Sequence, residues 1–330
     1  MRRSGELATL SDFRHNVWRL ALGARTKATD DEMLMRFALS YGARIVLSTI
    51  TVLATSAVAR ADEPAASEGS LREKRLAFLR SQVDKFEIKS EHGGQRLLHR
   101  GQQPVLRWSN PVRDFVNDGV TYLFLEGQRP RAIVTVWVRS RESSLESGEL
   151  WREHITLSRE PLTCRRDGAV IWSPKTAEVV DEPLTDAAPP AQRPSQRLVQ
   201  MRELARRFHA ATYKTDSANE LRLLSQPLYR YPSENTDVLD GALFGFAEAN
   251  DPEALLLLEA VAIDSGNQSE WRYTLARSTS FRVVVRLDDR EVFAVEPYWK
   301  VPRKTEAAYL EARDGEFALD GSSSDSSDPD

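Results

Sequence analysis

The sequence is poor in the residues and motifs that usually carry chemistry. Its 330 residues include one cysteine, Cys164, and five histidines. A lone cysteine cannot form an intrachain disulfide, and it excludes a multi-cysteine zinc site or a CxxC redox centre. No GxSxG elbow, HExxH motif, Walker loop or GxGxxG turn occurs, so the signatures of serine hydrolases, zinc peptidases and nucleotide-binding enzymes are missing. We therefore expect no metal and no cofactor.

The chain also lacks a strong excess or a long block of one charge. It carries 45 Lys and Arg against 49 Asp and Glu, a net charge of -4. A non-specific nucleic-acid binder needs a basic surface, so we expect no nucleic-acid partner. The hydrophobic fraction of 41% is too high for a generally disordered chain, and the length suggests two domains or one large one.

Long hydrophobic runs are nearly absent. The one uncharged apolar stretch, residues 45–59, is shorter than the roughly 20 residues of a transmembrane helix. Arg44 precedes it and an Ala-Arg-Ala site ending at Ala61 follows, which is the order of a secretory signal peptide. We expect cleavage after Ala61, or after Ala59, and export to the periplasm or the medium with no stable membrane span left. An uncleaved N-terminal anchor is the alternative.

The two ends of the chain differ from the rest. Residues 1–61 form the predicted leader, and its polar beginning offers Met33 or Met35 as the true translation start. Residues 303–330 hold three basic and eight acidic residues and end in GSSSDSSDPD. A Ser/Asp run of this kind has no apolar side chains with which to form a core, so we predict a disordered acidic tail over 303–330.

Colinear matches indicate an internal repeat. The segment that begins RLAFLR at Arg75 recurs 122 residues later as RLVQMR at Arg197. The nonapeptide DGVTYLFLE from Asp118 recurs at the same offset as DGALFGFAE from Asp240. Several matches in one order argue for two copies of one unit, which we place at 62–186 and 187–302.

Each predicted copy begins with a helix and continues with strands. Apolar residues at helical spacing predict helices over about 70–87 and about 194–212. The β-type runs that follow are joined by short turns, which favours antiparallel pairing. Runs such as 132–138 are apolar on both faces, so both faces should be covered. We predict an α+β fold in which two helix-plus-antiparallel-sheet units pack about a pseudo-twofold axis into one body, as two sheets or as one shared sheet.

Two long blocks carry a resemblance to a known group of proteins. LRWSNPVRDFVNDGVTYLFLEGQRPRAIVTVW, from Leu106, and LRLLSQPLYRYPSENTDVLDGALFGFAEANDPEALLLLEA, from Leu221, resemble an uncharacterised family of exported proteins from planctomycete-type bacteria. The resemblance covers about residues 70–300. It implies an exported bacterial protein and no particular activity.

Acidic residues at matched strand ends are the first candidates for a site. Glu126 and Glu248 end matched runs, and Asp118 and Asp240 start them. If the copies face each other, these carboxylates could meet for acid–base chemistry or cation binding. The simpler interpretation is that each Asp-Gly pair forms a turn and each Glu points to solvent. We expect Cys164 to be a buried structural residue rather than a nucleophile.

Tryptophans are the second candidates. Most of them lie in apolar runs, where core packing is the ordinary role. Trp151 and Trp271 are flanked by charged residues and are therefore the ones we expect to be exposed. Together they could form an aromatic platform for a glycan or a peptide.

These patterns favour an exported, non-enzymatic binding or scaffold protein whose partner is a protein, a glycan or an apolar ligand. The alternative is a hydrolase that acts on an extracellular polymer through carboxylates at the interface of the two copies. A purely structural component of the envelope is a third interpretation. The missing nucleophile, metal and cofactor motifs favour the first.

Overall fold

Strands dominate the chain, and their order occurs twice. In the computed structural model the described residues are 63–91, 94–109, 116–140, 146–175, 179–214, 217–232, 237–263, 268–302 and 304–319. Residues Ala65–Asp330 belong to one compact unit, and the other unit, Met1–Pro64, lies almost wholly outside the described residues. The predicted leader, its signal peptide and both alternative starts therefore also lie outside them.

The first half of the chain holds one helix and ten strands. They are α1 (Glu63–Val83), β1 (Phe86–Ser90), β2 (Arg96–Leu97), β3 (His99–Arg100), β4 (Leu106–Ser109), β5 (Val116–Glu126), β6 (Arg129–Ser140), β7 (Ser147–Thr156), β8 (Leu162–Arg166), β9 (Ala169–Trp172) and β10 (Val180–Pro183).

The second half repeats this order. Its elements are α2 (Pro194–Ala205), β11 (Phe208–Tyr213), β12 (Ala218–Glu220), β13 (Arg222–Leu223), β14 (Tyr229–Pro232), β15 (Val238–Glu248), β16 (Asp251–Ala262), β17 (Ser269–Arg277), β18 (Arg282–Leu287), β19 (Arg290–Val295), the 3₁₀ turns Tyr298–Lys300 and Lys304–Glu306, and β20 (Tyr309–Ala318).

The strands form four antiparallel sheets. Two are four-stranded, with orders β2-β1-β8-β9 and β12-β11-β18-β19. Two are six-stranded: β20-β7-β6-β5-β3 with β4 also on β5, and β10-β17-β16-β15-β13 with β14 also on β15. The strand order of the first half is thus matched, strand by strand, in the second.

The two halves exchange their last strands. β10 follows the first half in sequence, yet it pairs with β17 of the second half, from Val180 opposite Leu275 to Pro183 opposite Arg272. β20 follows the second half, yet it pairs with β7 of the first. Each six-stranded sheet is therefore completed by a strand from the other half.

The predicted α+β duplication is wrong. The fold is mostly β: 57% of the described residues are in strands and 15% are in helices, and these residues form four sheets rather than one sheet under each helix. The prediction was wrong because it relied on one apolar helix face alone for the task of covering each sheet. Strands β1 and β8, which carry Ile88, Leu162 and Cys164, share that task with α1 in one continuous core.

Alternate residues of the central strands enter different cores. On β16, Leu256 and Leu258 pack into the core of the second half, whereas Leu255 and Leu257 pack into the core centred on the first half. Strict alternation is what a strand buried on both faces requires. The expectation that both faces are covered is confirmed, with the other half supplying the second cover.

Both helices differ in extent from their predictions. α1 ends at Val83 rather than about residue 87, and α2 ends at Ala205 rather than about residue 212. Phe86 and Phe208 fit the apolar spacing of the helices, but each is the first residue of a strand. A single apolar residue just after a helix fits the helical spacing and also the two-residue period of the next strand. The apolar spacing therefore predicted helices that extend too far. Within the described residues, no helix is both long and apolar enough to cross a membrane.

Part of the predicted disordered tail is a strand. Residues Tyr309–Ala318 form β20, and Tyr309 and Phe317 in it are each 1% exposed. The acidic residues of this segment do not indicate disorder, because the Asp314 side chain is only 4% exposed and pairs with Arg152 and Arg166. The Ser/Asp run after residue 319 lies outside the described residues.

Each Asp-Gly pair lies inside a long strand and not in a turn. Asp118 and Gly119 are in β5, and Asp240 and Gly241 are in β15. A Cβ on Gly119 would lie 2.5 Å from the Trp108 ring, and one on Gly241 would lie 2.3 Å from the Tyr231 ring. The glycines are therefore required by a flat aromatic side chain on the neighbouring strand.

The Asp of each pair binds an arginine of the helix in its own half. Arg75 Nε lies 3.1 Å from Asp118 Oδ2, and Arg197 Nε lies 3.0 Å from Asp240 Oδ2. Asp240 is fully buried and also pairs with Arg230, at 2.9 Å. The matched arginines of the repeat thus tie α1 to β5 and α2 to β15.

We expect Asp240→Asn to lower the free energy of unfolding by about 3–5 kcal/mol, because it leaves buried arginine charge without its carboxylate. Denaturant unfolding measures the change. The control is Glu182→Gln, whose partner Arg159 lies 3.0 Å away in a pair that is about half exposed on both sides. That pair should contribute less than about 1 kcal/mol. Equal losses in the two variants would contradict the assigned role.

We expect Gly241→Ala to destabilise the protein by about 1–3 kcal/mol, because the new methyl group overlaps a Tyr231 ring that is itself buried. Gly69→Ala is the matched control, since nothing lies within 4 Å of its added Cβ and the residue is in α1. Alanine there should stabilise the helix by about 0.5–1 kcal/mol. The same sign of change in both variants would argue against the ring contact.

Candidate functional site

The predicted carboxylates at the strand ends do not meet. Glu126 Oε2 accepts a hydrogen bond from Arg131 Nη2 at 2.7 Å, and Glu248 Oε2 lies 2.6 Å from Lys214 Nζ. Burial alone would raise the pKa of Glu126, but Arg131 and Arg96 outweigh it and hold the pKa below its usual value. Each carboxylate is thus engaged by cations of its own half. They form surface ion pairs and no shared acidic site.

The two tryptophans that were expected to be exposed, Trp151 and Trp271, lie in different environments. Trp271 is 2% exposed and its Nε1 donates to the carbonyl of Ala188 at 3.0 Å, so the expected exposure is wrong. Its charged sequence neighbours point the other way, as the alternation of a strand demands. Trp151 is half-buried and stacks on Trp137, with ring centroids 6.2 Å apart. Trp137 in turn contacts Trp108 at the same distance, which makes a row of three indoles across β4, β6 and β7.

Cys164 and His154 are both buried in the core of the first half. Burial raises the pKa of the Cys164 thiol to about 12, so it holds its proton at neutral pH and is a poor nucleophile. His154 lies between Phe86 and Trp172. Burial, with Arg152 and Arg166 nearby, lowers the pKa of His154 to about 3. Neither side chain is suited to acid–base work near neutral pH.

Carboxylates do converge at the interface of the halves, but they are different ones. Glu153 on β7 lies opposite Glu311 on β20, and the Tyr309 hydroxyl is 2.6 Å from Glu153 Oε1 and 3.1 Å from Glu311 Oε2. Burial raises the pKa of Glu153 well above its usual value. The charges of Glu311, Asp251 and Glu253 add to this effect. Sequence reasoning missed this cluster because β20 fell in the predicted disordered tail.

The space beside this acidic cluster is too small for a substrate. The cavity lined by Glu153, Asp251, Thr135 and Ser278 has a volume of about 10 Å³. That is room for one water molecule at most. Among the described residues, no three Asp, Glu, His or Cys side chains are grouped so as to hold a metal ion. The cluster is therefore a part of the interface between the sheets.

An open groove at the far side of the second half has the size of a ligand site. Its volume is about 330 Å³, at the lower end of the range for small-molecule sites. We call it the Trp299 groove. It is lined chiefly by Tyr213, Lys214, Arg282, Glu296, Trp299 and Lys300.

Neighbouring strands and a 3₁₀ turn build the Trp299 groove. Tyr213 ends β11 directly opposite Arg282, the first residue of β18. In the 3₁₀ turn, Tyr298 is 4% exposed and its hydroxyl donates to the Glu311 carbonyl at 3.3 Å. This anchor turns the next residue, Trp299, outward, and 56% of it is exposed. The indole is thus held at the surface by a buried neighbour.

Aromatic rings position the cations of the groove. The Arg282 guanidinium carbon lies 4.5 Å from the centre of the Tyr213 ring, and Lys214 Nζ lies 5.4 Å from that of Phe281. The Phe281 ring also contacts Trp299 edge-on, at 6.0 Å. Cations fixed over ring faces lose little side-chain freedom when they bind a ligand.

Among the described residues, the first half has no counterpart of the Tyr213–Arg282 pair. By the sheet register, the positions of Tyr213 and Arg282 correspond to Glu91 and Pro161, which extend the β1–β8 pair in the same way. Neither Glu91 nor Pro161 can supply an aromatic ring or a positive charge. This difference between the halves is the signal in the sequence that points to the groove.

Comparison with family models, with curated proteins and with solved structures finds no match to this chain.

We expect Glu153→Gln to make the protein more stable than the wild type above about pH 5, with a gain that grows as the pH rises. A carboxyl group whose folded pKa is raised gives up its proton on unfolding, so stability falls with pH above the unfolded pKa of about 4.5. The amide has no proton to lose and can still accept from Tyr309. Denaturant unfolding from pH 4 to 8 measures the difference, with a limit of about 1.4 kcal/mol per pH unit.

Glu149→Gln is the control for this pH series, since Glu149 is on the same strand but 39% exposed. Its stability should follow that of the wild type across the series. A Glu153→Gln curve parallel to the wild-type curve would show that Glu153 titrates like an exposed carboxylate.

Proposed function

We propose that this chain is an exported, non-enzymatic binding protein that holds its ligand in the Trp299 groove. The single observation that carries the proposal is an exposed indole fixed beside three cations in an open groove of about 330 Å³. Concave sites that combine an aromatic surface with a few convergent polar groups are the usual places for ligands. Export rests on the signal-peptide pattern at 45–61, outside the described residues.

The carboxylate-dependent hydrolase is the weaker alternative. Catalysis on a polymer needs two carboxylates that reach one bond of a bound substrate. The carboxylates that converge, Glu153 and Glu311, adjoin a space for a single water molecule, and Glu126 and Glu248 are held by cations on their own halves. Binding in the open groove is the function that the geometry favours.

We further infer that the two halves derive from one repeated unit, which has two sheets and not the helix-plus-sheet form first expected. The matched strand orders and the matched pairs Arg75–Asp118 and Arg197–Asp240 support this. In a repeated unit, shared residues maintain the fold and differing residues are available for function. At the Trp299 groove the halves differ, since Tyr213 and Arg282 stand where the first half has Glu91 and Pro161.

We expect Trp299→Ala to weaken binding about tenfold, which is the free energy of one good aromatic contact. Affinity electrophoresis measures it, in gels that contain dextran, polygalacturonate, dextran sulfate or polyglutamate. Trp151→Ala, in the indole row, is the matched control and should migrate like the wild type.

Two outcomes would overturn the proposal. The first is that none of the four polymers retards the wild type, and the second is that Trp299→Ala is retarded as strongly as the wild type. New reducing ends released from polygalacturonate by the wild type would favour the hydrolase instead.

A further inference from the structure

The geometry of the Trp299 groove points to an acidic polysaccharide as its ligand, with ring carboxylates on the cations and a sugar face on the indole. This inference rests on the proposed function, because it names the chemical class that the groove would bind. Sulfate esters on a sugar present the same anionic chemistry as uronate carboxylates, so the experiment below separates these two sources.

The charges that line the groove favour an anion. Lys214, Arg282 and Lys300 contribute three positive charges. Glu296 contributes the one negative charge of the lining, and Glu248, outside the lining, lies 2.6 Å from Lys214. Glu296 lies 3.2 Å from Lys300 and 3.8 Å from Arg282. All three side chains are more than a third exposed. Exposed pairs of this kind contribute little, so an incoming carboxylate can take the place of Glu296 at low cost.

The attraction has to be local. The whole chain is net negative, and a charge at physiological salt is screened over about 8 Å. A distant anion is therefore not drawn to the protein as a whole. An anion that reaches the groove meets cations already oriented over Tyr213 and Phe281. Direct contact, rather than long-range steering, should give the affinity.

The exposed indole selects among anionic polymers. Trp299 offers a flat apolar face, and 56% of the residue is open to solvent. A pyranose ring has a flat C–H face that can cover an indole while a carboxylate on the same ring reaches a cation a few ångströms away. An acidic polypeptide brings carboxylates on flexible side chains and no such ring. Acidic sugars thus match both features at once.

A nucleic acid fits the groove less well. Its bases could stack on the indole, but its phosphates repeat along the strand and require a continuous basic track. Next to the groove, Glu248 binds Lys214 at 2.6 Å and so places a negative charge beside its cations. Three cations at one short site suit a few sugar units of a polymer.

Calorimetric titration of the full chain tests the inference with matched probes. Polygalacturonate and its methyl ester have the same rings and linkages, but the ester has lost the carboxylate charge. We expect the wild type to bind polygalacturonate at least tenfold more tightly than the methyl ester, and to lose that preference as salt is raised. Dextran sulfate against dextran tests the sulfate source in the same way.

Variants locate the effect. The double variant Arg282→Gln with Lys300→Gln should weaken binding of polygalacturonate at least tenfold and leave binding of the methyl ester unchanged. Lys175→Gln is the matched control, because Lys175 is 62% exposed and pairs with Glu306, much as Lys300, 61% exposed, pairs with Glu296. Lys175→Gln should bind polygalacturonate like the wild type.

The outcomes separate this inference from the proposed function. If the methyl ester, polyglutamate or a single-stranded oligonucleotide binds as tightly as the best acidic polysaccharide, and Trp299→Ala abolishes that binding, the groove is a binding site and the acidic-sugar class is wrong. If no probe binds in a way that Trp299→Ala weakens, the proposed function fails as well. Binding of dextran sulfate but not polygalacturonate would assign the anion as sulfate.

Discussion

The arginine–aspartate pair that joins each helix to a long strand, α1 to β5 and α2 to β15, is the interaction on which the rest of the fold depends. A buried ion pair of this kind adds little net stability compared with apolar side chains of the same size, but breaking it is costly, so it selects one arrangement. In the second half, Arg197 fixes Asp240, and the next residue, Gly241, gives room for the Tyr231 ring. Across Gly241 of β15, the tyrosine hydroxyl of β14 donates to Glu259 on β16.

The same path crosses to the other half. Glu259 is 2% exposed and binds Arg129 of the first half, with Nη2 and Oε2 2.7 Å apart. A series of contacts thus connects α2 to Arg129, the first residue of β6. The exchange of β10 and β20 adds backbone pairing to this connection. Neither half has a complete six-stranded sheet of its own, so we infer that the halves fold as one cooperative unit.

The sequence allowed the two helices, apart from their bounds, and the main strands to be predicted, because they depend on local apolar periods. It did not allow the exchange of edge strands to be predicted, since the register of a strand across the molecule leaves no local signal. Asp-Gly in β5 and β15 looked like a turn pair because its usual role is local. Its actual role depends on Trp108 and Tyr231, which lie on other strands.

The candidate site was hidden for a different reason. Repeated features drew attention to Glu126 and Glu248, but what a repeated unit retains in both copies is mostly what the fold requires. Arg282 takes the place that Pro161 has in the first half. Trp299 is moreover exposed only because Tyr298, its neighbour, is anchored to β20. That contact depends on the strand exchange, which the sequence does not reveal.

Buried and exposed charges have separate roles in this molecule. Asp240 and Glu259 are buried and each is matched by an arginine, and burial raises the pKa of Glu153 well above its usual value, so none of the three has the freedom to meet a substrate. The cations of the Trp299 groove are each more than a third exposed, and Arg282 and Lys214 lie over aromatic rings, so they meet water despite their pairs with Glu296 and Glu248. Since the desolvated charges maintain the fold and the hydrated ones face a groove, recognition of an external anion is the chemistry to which this architecture is suited.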